Sequence, residues 1–402
     1  MEVLLDIARW LLVAVALFWT AGTAVSETRL PQYWVRMWDF PRAQILVFAL
    51  LTGGLYLAVC AWDGIDWVDW GVLLFMFAVV PIWQAKWIVP YTPVAPREVL
   101  DHTDDDLPQI KVLITNVLQQ NEEHDLWREA IGSADADLIA IAEVDETWAK
   151  VAGETLGDSH PHSKVVTQDN MYGIALFSRL PFVKVPVEGQ GEDHGDGGPV
   201  RVDHMVQPDV PSLHTAVELG GDEVRLHVLH PKPPAPQEGD SAAPRDAELI
   251  LMGRDIEERR DEGAARPTLV MGDLNDVAWS RTTQLFRKIS GLLDARKGRG
   301  LINSFHAEHW WFRFPLDHIF VSNEFRLVDL KRLDYVGSDH FPILIHLSYE
   351  PHRTDEQPEQ EPSEKDLDAA EARLDIERER EEQGLEDAHL NERDVPDRQD
   401  ER

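Results

Sequence analysis

The chain reads as an α/β protein preceded by a helical membrane anchor. Three observations carry that expectation. Three apolar runs of about 20 residues stand near the start. Short apolar strand patterns alternate with amphipathic helix patterns over residues 110–350. Polar residues stand at the ends of several of those strands, where a fold of this class places its site.

The apolar runs cover residues 7–25, 43–62 and 68–89. At 1.5 Å rise per residue, about 20 residues span a ~30 Å hydrocarbon layer. Trp19, Trp34, Trp38, Trp62, Trp67, Trp70, Trp83 and Trp87 lie near the run ends, as interfacial belts require. A cleaved leader needs a positive start, whereas Glu2 and Asp6 accompany a single arginine, Arg9. Region 1–90 is therefore expected to hold about three transmembrane helices, with two spans and an interfacial helix as the alternative. Arg9 then has to lie near a helix end or snorkel. The first connection carries Arg29, Arg36 and Arg42, the second carries Asp63, Asp66 and Asp69, and Lys86 and Arg97 follow the third run. The positive-inside rule puts the arginine-rich connection and the rest of the chain in the cytoplasm, which describes a multi-pass membrane protein.

At 402 residues the chain has room for two or three folding units. Lys+Arg is 38 against 72 Asp+Glu, a net charge of -34. That balance excludes a protein that grips duplex DNA mainly through a basic surface, so no strong double-stranded DNA affinity is expected. Cys60 is the single cysteine, which rules out an internal disulfide and a cysteine-based zinc site. Residues 91–109 read as a linker, stiffened by Pro93, Pro96 and Pro108. Residues 351–402 read as an acidic, disordered tail without an aromatic residue, in which 366–382 forms at most a solvated helix because it lacks an apolar stripe. The glycine-rich acidic segment 188–199 opens no clear helix and carries no Lys, so it is not read as a nucleotide loop.

Between linker and tail, strands are expected at 111–117, 137–143, 173–178, 212–219, 223–230, 268–271, 318–322, 325–332 and 343–347. Helices are expected at 122–133, 146–156, 245–262 and 281–289. Sheets buried beneath helices follow, with a site at the strand ends.

Asn116 follows KVLIT, Glu143 follows DLIAIA, and Asp273 and Asn275 follow TLVMG in the string GDLN. Asp317 and His318 precede IFVS, and Asp339 and His340 sit in GSDHFPI. Each alone has a bland explanation as a cap or turn residue; five such positions on different apolar strands do not. Were Glu143, Asp273 and Asp339 to converge, each pair at 4 Å would cost about 4 kcal/mol at an effective dielectric of 20. Proteins relieve that by protonation or with a cation. Oxygen ligands with the amides of Asn116 and Asn275 beside them favour Mg²⁺ or Mn²⁺ over zinc. His340 suits proton abstraction from water, with Asp317 placed to fix its tautomer. His230 closes VRLHVLH before a proline-rich turn and is a candidate donor to a phosphoryl oxygen, or else a structural histidine. His227 points to the other face of a regular strand.

The strings ITNV, IAEV, GIALFSRLP, LHPKPP, GDLN, PLDHIFVS and GSDHFPI resemble, in order and approximate spacing, the endonuclease/exonuclease/phosphatase superfamily over residues 110–349. The whole chain looks like its bacterial membrane-anchored branch. The resemblance implies a DNase I-like four-layer α/β sandwich, two sheets with helices on the outer faces, in a catalytic domain over residues 110–350. It implies a divalent-metal site in which Glu143 is the principal ligand, with Asn116 beside it and Asp339 adding a carboxylate. It further implies Asp273 and Asn275 positioning water and phosphate, His340 as base, Asp317 orienting it and His230 on the phosphate. Ala142 departs from the usual glutamine before the glutamate. The stretch 304–314, SFHAEHWWFRF, has no role in that pattern; its aromatics suit a substrate cleft, lipid contact or packing. The implied activity is hydrolysis of a lipid, nucleotide or nucleic-acid phosphoester. A catalytically silent membrane scaffold or a lipid or ligand sensor on the same fold is the alternative.

Overall fold

The computed structural model describes residues 2–184, 198–234, 241–261, 263 and 265–383. Most of the glycine-rich segment 188–199 and the end of the acidic tail lie outside the described residues. The chain divides into two units, Met1–Arg97 with Arg296–Leu301, and Glu98–Ala295 with Ile302–Arg402.

The first unit is helical. It comprises α1 (Glu2–Val25), a short α2 (Tyr33–Arg36), α3 (Arg42–Asp63), and α4 (Trp67–Leu74), which runs through a π-helical turn into α5 (Val80–Ile88). Three helices, Val3–Val25, Arg42–Trp62 and Trp67–Tyr91, are long and apolar enough to cross a membrane. Their small and medium side chains pack inward, with Ala16, Ile45, Ala49, Met76 and Val80 in one cluster. Leu4, Trp10, Leu17, Leu51, Leu55 and Ile82 are exposed on the outside, which inverts the pattern of a water-soluble bundle. Arg9 lies in the first half of α1, half-buried, and pairs with Asp69. Its Nε donates to Asp69 Oδ1 at 3.0 Å, and Tyr56 Oη donates to the same oxygen at 2.6 Å. An apolar surround makes each of these charges dependent on the other.

The second unit holds two sheets. One has the strand order β12–β13–β1–β2–β4–β3 and the other β10–β11–β9–β8–β7–β5, with β6 on β7. In the first, β1 is Gln109–Asn116, β2 Leu138–Ala142, β3 His162–Val166, β4 Ile174–Ser178, β12 Phe325–Arg332 and β13 Ile343–Tyr349. In the second, β5 is Phe182–Val183, β6 Arg201–Asp203, β7 Ser212–Leu219, β8 Asp222–Val228, β9 Thr268–Asp273, β10 Leu293–Asp294 and β11 Asp317–Val321. The strand period of two sorts β1 between layers. Ile110, Val112 and Ile114 face the inter-sheet core with Leu226, Leu269, Met271 and Ile345. Leu113 faces outward, onto the cluster that Trp127 of α6 (His124–Ala134) and Trp148 of α7 (Glu146–Leu156) complete. Helices α8 (Ala243–Asp261) and α9 (Arg281–Ser290) cover the other sheet through Leu249, Met252 and Phe286. The result is the four-layer α/β sandwich expected.

Two expectations fail. The segment read as a linker belongs, from Glu98 on, to the second unit. Val99 is buried, His102 N donates to Leu327 O at 2.9 Å, and Thr103 Oγ1 donates to Glu350 Oε2 at 2.6 Å. The tail does not stay solvated either: Glu364–Glu382 forms helix α10 and packs on α8 and α9. Its contact is narrow, with Ala370 and Leu374 buried against Ile250, Leu285 and Ile289, flanked by Arg254–Glu371 at 2.7 Å and Lys288–Asp366 at 2.9 Å. Two small apolar residues and ion pairs make no stripe that a periodicity argument can see.

Asp69 is the buried partner of the Arg9–Asp69 pair, so removing its cation by Arg9→Ala leaves a buried carboxylate without a counter-charge and is expected to destabilise the helical unit by about 3–5 kcal/mol. Thermal unfolding in detergent reads this, and an unchanged midpoint contradicts it. A second prediction concerns pH. Burial, with Asp203 nearby, pushes the Glu248 carboxyl up to about 8 from its ordinary 4.5, and its Oε1 has no hydrogen-bond partner among the described residues. A raised acid pKa means the folded state holds a proton that the unfolded state has lost, so stability falls as pH rises from 4.5 towards 8. Glu248→Gln should remove that fall, raising the unfolding midpoint above pH 8 and changing little below pH 4.5. Parallel pH profiles for the two proteins would contradict it.

Candidate active site

The site lies where strands from both sheets end together. Strands β1 and β2 are parallel and place Asn116 opposite Ala142, so Asn116 and Glu143 emerge side by side. Asn116 is buried and bridges the sheets: its Nδ2 donates to Glu143 Oε1 at 2.8 Å and to Asp273 Oδ2 at 3.0 Å. Gln119 N donates to the other oxygen of Glu143 at 3.1 Å, and Gln119 Oε1 accepts from Met171 N at 2.7 Å. Glu143 itself has φ +64°, a left-handed conformation that a non-glycine residue adopts only when its surroundings impose it.

On the second sheet, β9 and β11 pair antiparallel with Asp273 opposite Asp317. Gly272 precedes Asp273 with φ +140°, and a Cβ there would stand 1.9 Å from Leu229 O. Only glycine allows β9 to approach the end of β8 this closely. Asn275, also left-handed at φ +50°, donates from its backbone N to Asp273 Oδ1 at 3.0 Å and from Nδ2 to Pro231 O at 3.0 Å. Buried Arg245 holds Asn275 O at 2.7 Å. His230 is buried and its Nδ1 donates to Asp273 O at 3.1 Å.

His340 joins these elements. Its Nδ1 lies 2.7 Å from Asp317 Oδ2 and its Nε2 3.5 Å from Asp273 Oδ2. Its backbone N donates to Ser338 Oγ at 3.0 Å, and the Phe305 ring lies 5.0 Å away. Burial opposes a charge on this imidazole, but Asp273, Asp317 and Asp339 outweigh burial and lift it to about 10. Burial likewise raises the Asp339 carboxyl; His340 and His306 oppose the rise, and Glu143 and Asp273 add to it. Asp339 Oδ1 is buried without a hydrogen-bond partner among the described residues.

All eight sequence-derived candidates thus stand at one end of the sandwich. Asn116, Glu143, His230, Asp273, Asn275, Asp317 and His340 are connected by the bonds above, and Asp339 by its charge. Asp273, Asp317 and His340 offer ligand atoms within 4.8 Å of one another. The donor set fits a divalent cation: the carboxylates crowd, their field draws a proton onto His340, and one buried carboxylate oxygen has no donor. His227, set aside in the sequence, faces away and meets His214 Nδ1 at 2.8 Å. Gln119, Arg245, Ser304 and Ser338 were missed. Ser304 Oγ accepts from Asp317 N at 3.1 Å. These residues hold site residues through main-chain contacts, which leave no spacing signal.

The sequence profile of the Endonuclease/Exonuclease/phosphatase family matches residues 115–340. The chain belongs to this family. It is therefore a phosphoester hydrolase of a metal-dependent class. A search of curated proteins finds no matching relative. Among solved structures the chain is similar to sphingomyelinase C from Streptomyces griseocarneus, at 16% identity and TM-score 0.42, covering 60% of this chain and 99% of that one. It is similar to an endonuclease/exonuclease/phosphatase from Beutenbergia cavernae, at 17% identity and TM-score 0.43, covering 60% and 72%. It is also similar to a truncated TDP2 from Caenorhabditis elegans, at 14% identity and TM-score 0.45, covering 60% and 97%.

Gly272→Ala is expected to push β9 away from Leu229 and shift Asp273. A displacement of about 1 Å at a positioned group costs about 10²-fold in rate, so turnover should fall by that order while far-ultraviolet circular dichroism stays unchanged. Unchanged turnover would contradict the close-approach argument.

Proposed function

We propose that this protein is a membrane-anchored phosphoesterase in which His340 activates water beside a divalent cation, Mg²⁺ or Mn²⁺. The observation that carries the proposal is the Asp317–His340–Asp273 array, bound through Asn116 to Glu143. Glu143 and Asp339 would hold the cation, which when bound supplies charge stabilisation at phosphoryl oxygens; Asn116, expected from the sequence as a ligand, instead orients Glu143, because its amide hydrogens go to carboxylates and its Oδ1 accepts from Leu118 N at 2.9 Å.

The chain's own groups do the rest. Asp317 accepts from Nδ1–H of His340 and so fixes the tautomer that leaves Nε2 to take a proton. Asp273 stands on the Nε2 side, where water would be oriented. His230 spends its Nδ1–H on Asp273 O, so it donates to a phosphoryl oxygen only through Nε2 as the imidazolium. Asn275, locked by Pro231 and Arg245, presents its remaining side-chain oxygen or amide hydrogen to the same space.

The three apolar helices support a multi-pass anchor, and with three spans the connection bearing Arg29 and the hydrolase unit share one side, the cytoplasmic side by the positive-inside rule. The net charge of -34 favours a small phosphoester or a lipid over long duplex DNA, and the anchor favours a lipid or another envelope-derived phosphodiester.

The test uses the purified full chain in detergent with a chromogenic phosphodiester, a monoester, DNA, RNA and phospholipids, each with Mg²⁺ and with EDTA. Hydrolysis of at least one substrate, abolished by EDTA and lowered at least ~10²-fold in Glu143→Ala and in His340→Ala, is expected. EDTA-resistant activity, or near wild-type rates in both variants, overturns the reading.

A further inference from the structure

Beyond Ser304, which holds Asp317, and Phe305 beside His340, the segment 304–314 has no role in the network above, yet it touches it. Phe305 pairs with Phe314 and with His340 through isolated bridges, Ala307 N donates to Asp339 O at 2.7 Å, and Phe341 N donates to Ser304 O at 2.9 Å. Arg313 Nη2 donates to Ala307 O at 2.9 Å and Phe312 N to His309 O at 2.9 Å, closing a compact loop on the rim of the cleft. Three side chains of this loop, His306, Glu308 and His309, offer ligand atoms within 4.8 Å of one another. The two imidazole rings lie 4.4 Å apart, centroid to centroid. Glu308 N approaches His306 Nδ1 at 3.4 Å, a long and exposed contact that a metal ion on either ring nitrogen of His306 would replace. Tyr335 Oη donates to Glu308 Oε1 at 3.3 Å, fixing the carboxylate and leaving its second oxygen.

The donor set differs in kind from that of the cleft. Two imidazole nitrogens and one carboxylate oxygen are the ligands of Zn²⁺ and its neighbours, whereas Mg²⁺ takes oxygens. Bonds of about 2.1 Å in a tetrahedral arrangement put ligand atoms about 3.4 Å apart. Glu308 and His309 are exposed and His306 is half-buried, so rotation of these side chains can bring ligand atoms that already lie within 4.8 Å of one another to that spacing. Three protein ligands leave one position open to solvent or to a substrate oxygen.

We propose that His306, Glu308 and His309 form a second metal site, selective for Zn²⁺-class ions over Mg²⁺, that stiffens the 306–309 turn of a loop bonded to Asp339 O through Ala307 N. The site stands on its own side chains and does not require the hydrolase reading to hold.

The test is metal binding to the full chain in detergent under saturating Mg²⁺. Zn²⁺ titration calorimetry and Co²⁺ visible absorption should register one equivalent that Mg²⁺ does not displace, with a nitrogen–oxygen ligand-field spectrum. His309→Ala and the conservative Glu308→Gln should each weaken it at least ~10-fold, while Glu143→Ala keeps it. Amide exchange at residues 305–312 should slow when Zn²⁺ is added to the wild type and not in His309→Ala. Unfolding midpoints equal to wild type establish that both variants fold; should His309→Ala misfold, Glu308→Gln decides. Wild-type Zn²⁺ affinity in the folded variants, displacement of the equivalent by Mg²⁺, or a thiolate charge-transfer band from Cys60 overturns the proposal.

Discussion

The mutual repulsion of carboxylates at one end of the sandwich is the constraint on which the rest of this unit depends. Asp273 and Asp317 offer oxygens within 4.8 Å of each other and of His340, and at that separation two charges repel by about 3 kcal/mol at an effective dielectric of 20. Asp339 and Glu143 add to the same field. A fold keeps such an arrangement only if something positive completes it. Asn116 offers one partial remedy, donating both its amide hydrogens to carboxylates from opposite sheets. His340 offers another by taking up a proton. Neither brings a donor to Asp339 Oδ1. The chemistry follows from the same imbalance: a cation that relieves it also polarises a phosphoryl group, and the imidazole beside it is then free to act on water.

The backbone supports that concentration of charge. Parallel pairing of β1 with β2 and of β8 with β9 sends four strand ends the same way. Gly272 lets two of them approach, and Glu143 and Asn275 are turned by left-handed backbone that no ordinary strand end needs. Strain of this kind is sustained by the packed layers behind it, where Trp127, Trp148 and Phe286 fix helices onto the sheets. The helical unit uses the converse device. It buries Asp69 against half-buried Arg9 and turns leucines outward, so the charge that is stored for chemistry in one unit is neutralised pairwise in the other.

Much of the fold and site was legible because each candidate terminates an apolar run. Lys111 to Thr115 must be a strand, so Asn116 must leave the sheet at its end; the same holds for Glu143 after Ile139–Ala142 and for Asp273 after Leu269–Met271. Strands β5 and β10 were invisible because two residues carry no period, and β3 and β6 because their alternation is weak and their sides half-buried. The docking of helix α10 escaped because Ala370, Leu374 and ion pairs, not a continuous apolar stripe, hold it. The stitching of residues 98–103 onto β12 is made by main-chain groups, which any sequence can supply, and onto Glu350 by a Thr103–Glu350 contact 247 residues apart, which no local spacing reveals. The cross-sheet role of Asn116 was out of reach for a related reason: it depends on Asp273 lying on the far sheet, 157 residues away.

Manganese anomalous scattering from crystals of the full chain measures the central claim most directly. The expected result is a peak within coordination distance of Glu143, with Asp339 also in range and His340 nearby. A cleft with well-ordered Glu143 and Asp339 side chains and no peak between them at saturating Mn²⁺ would contradict the account.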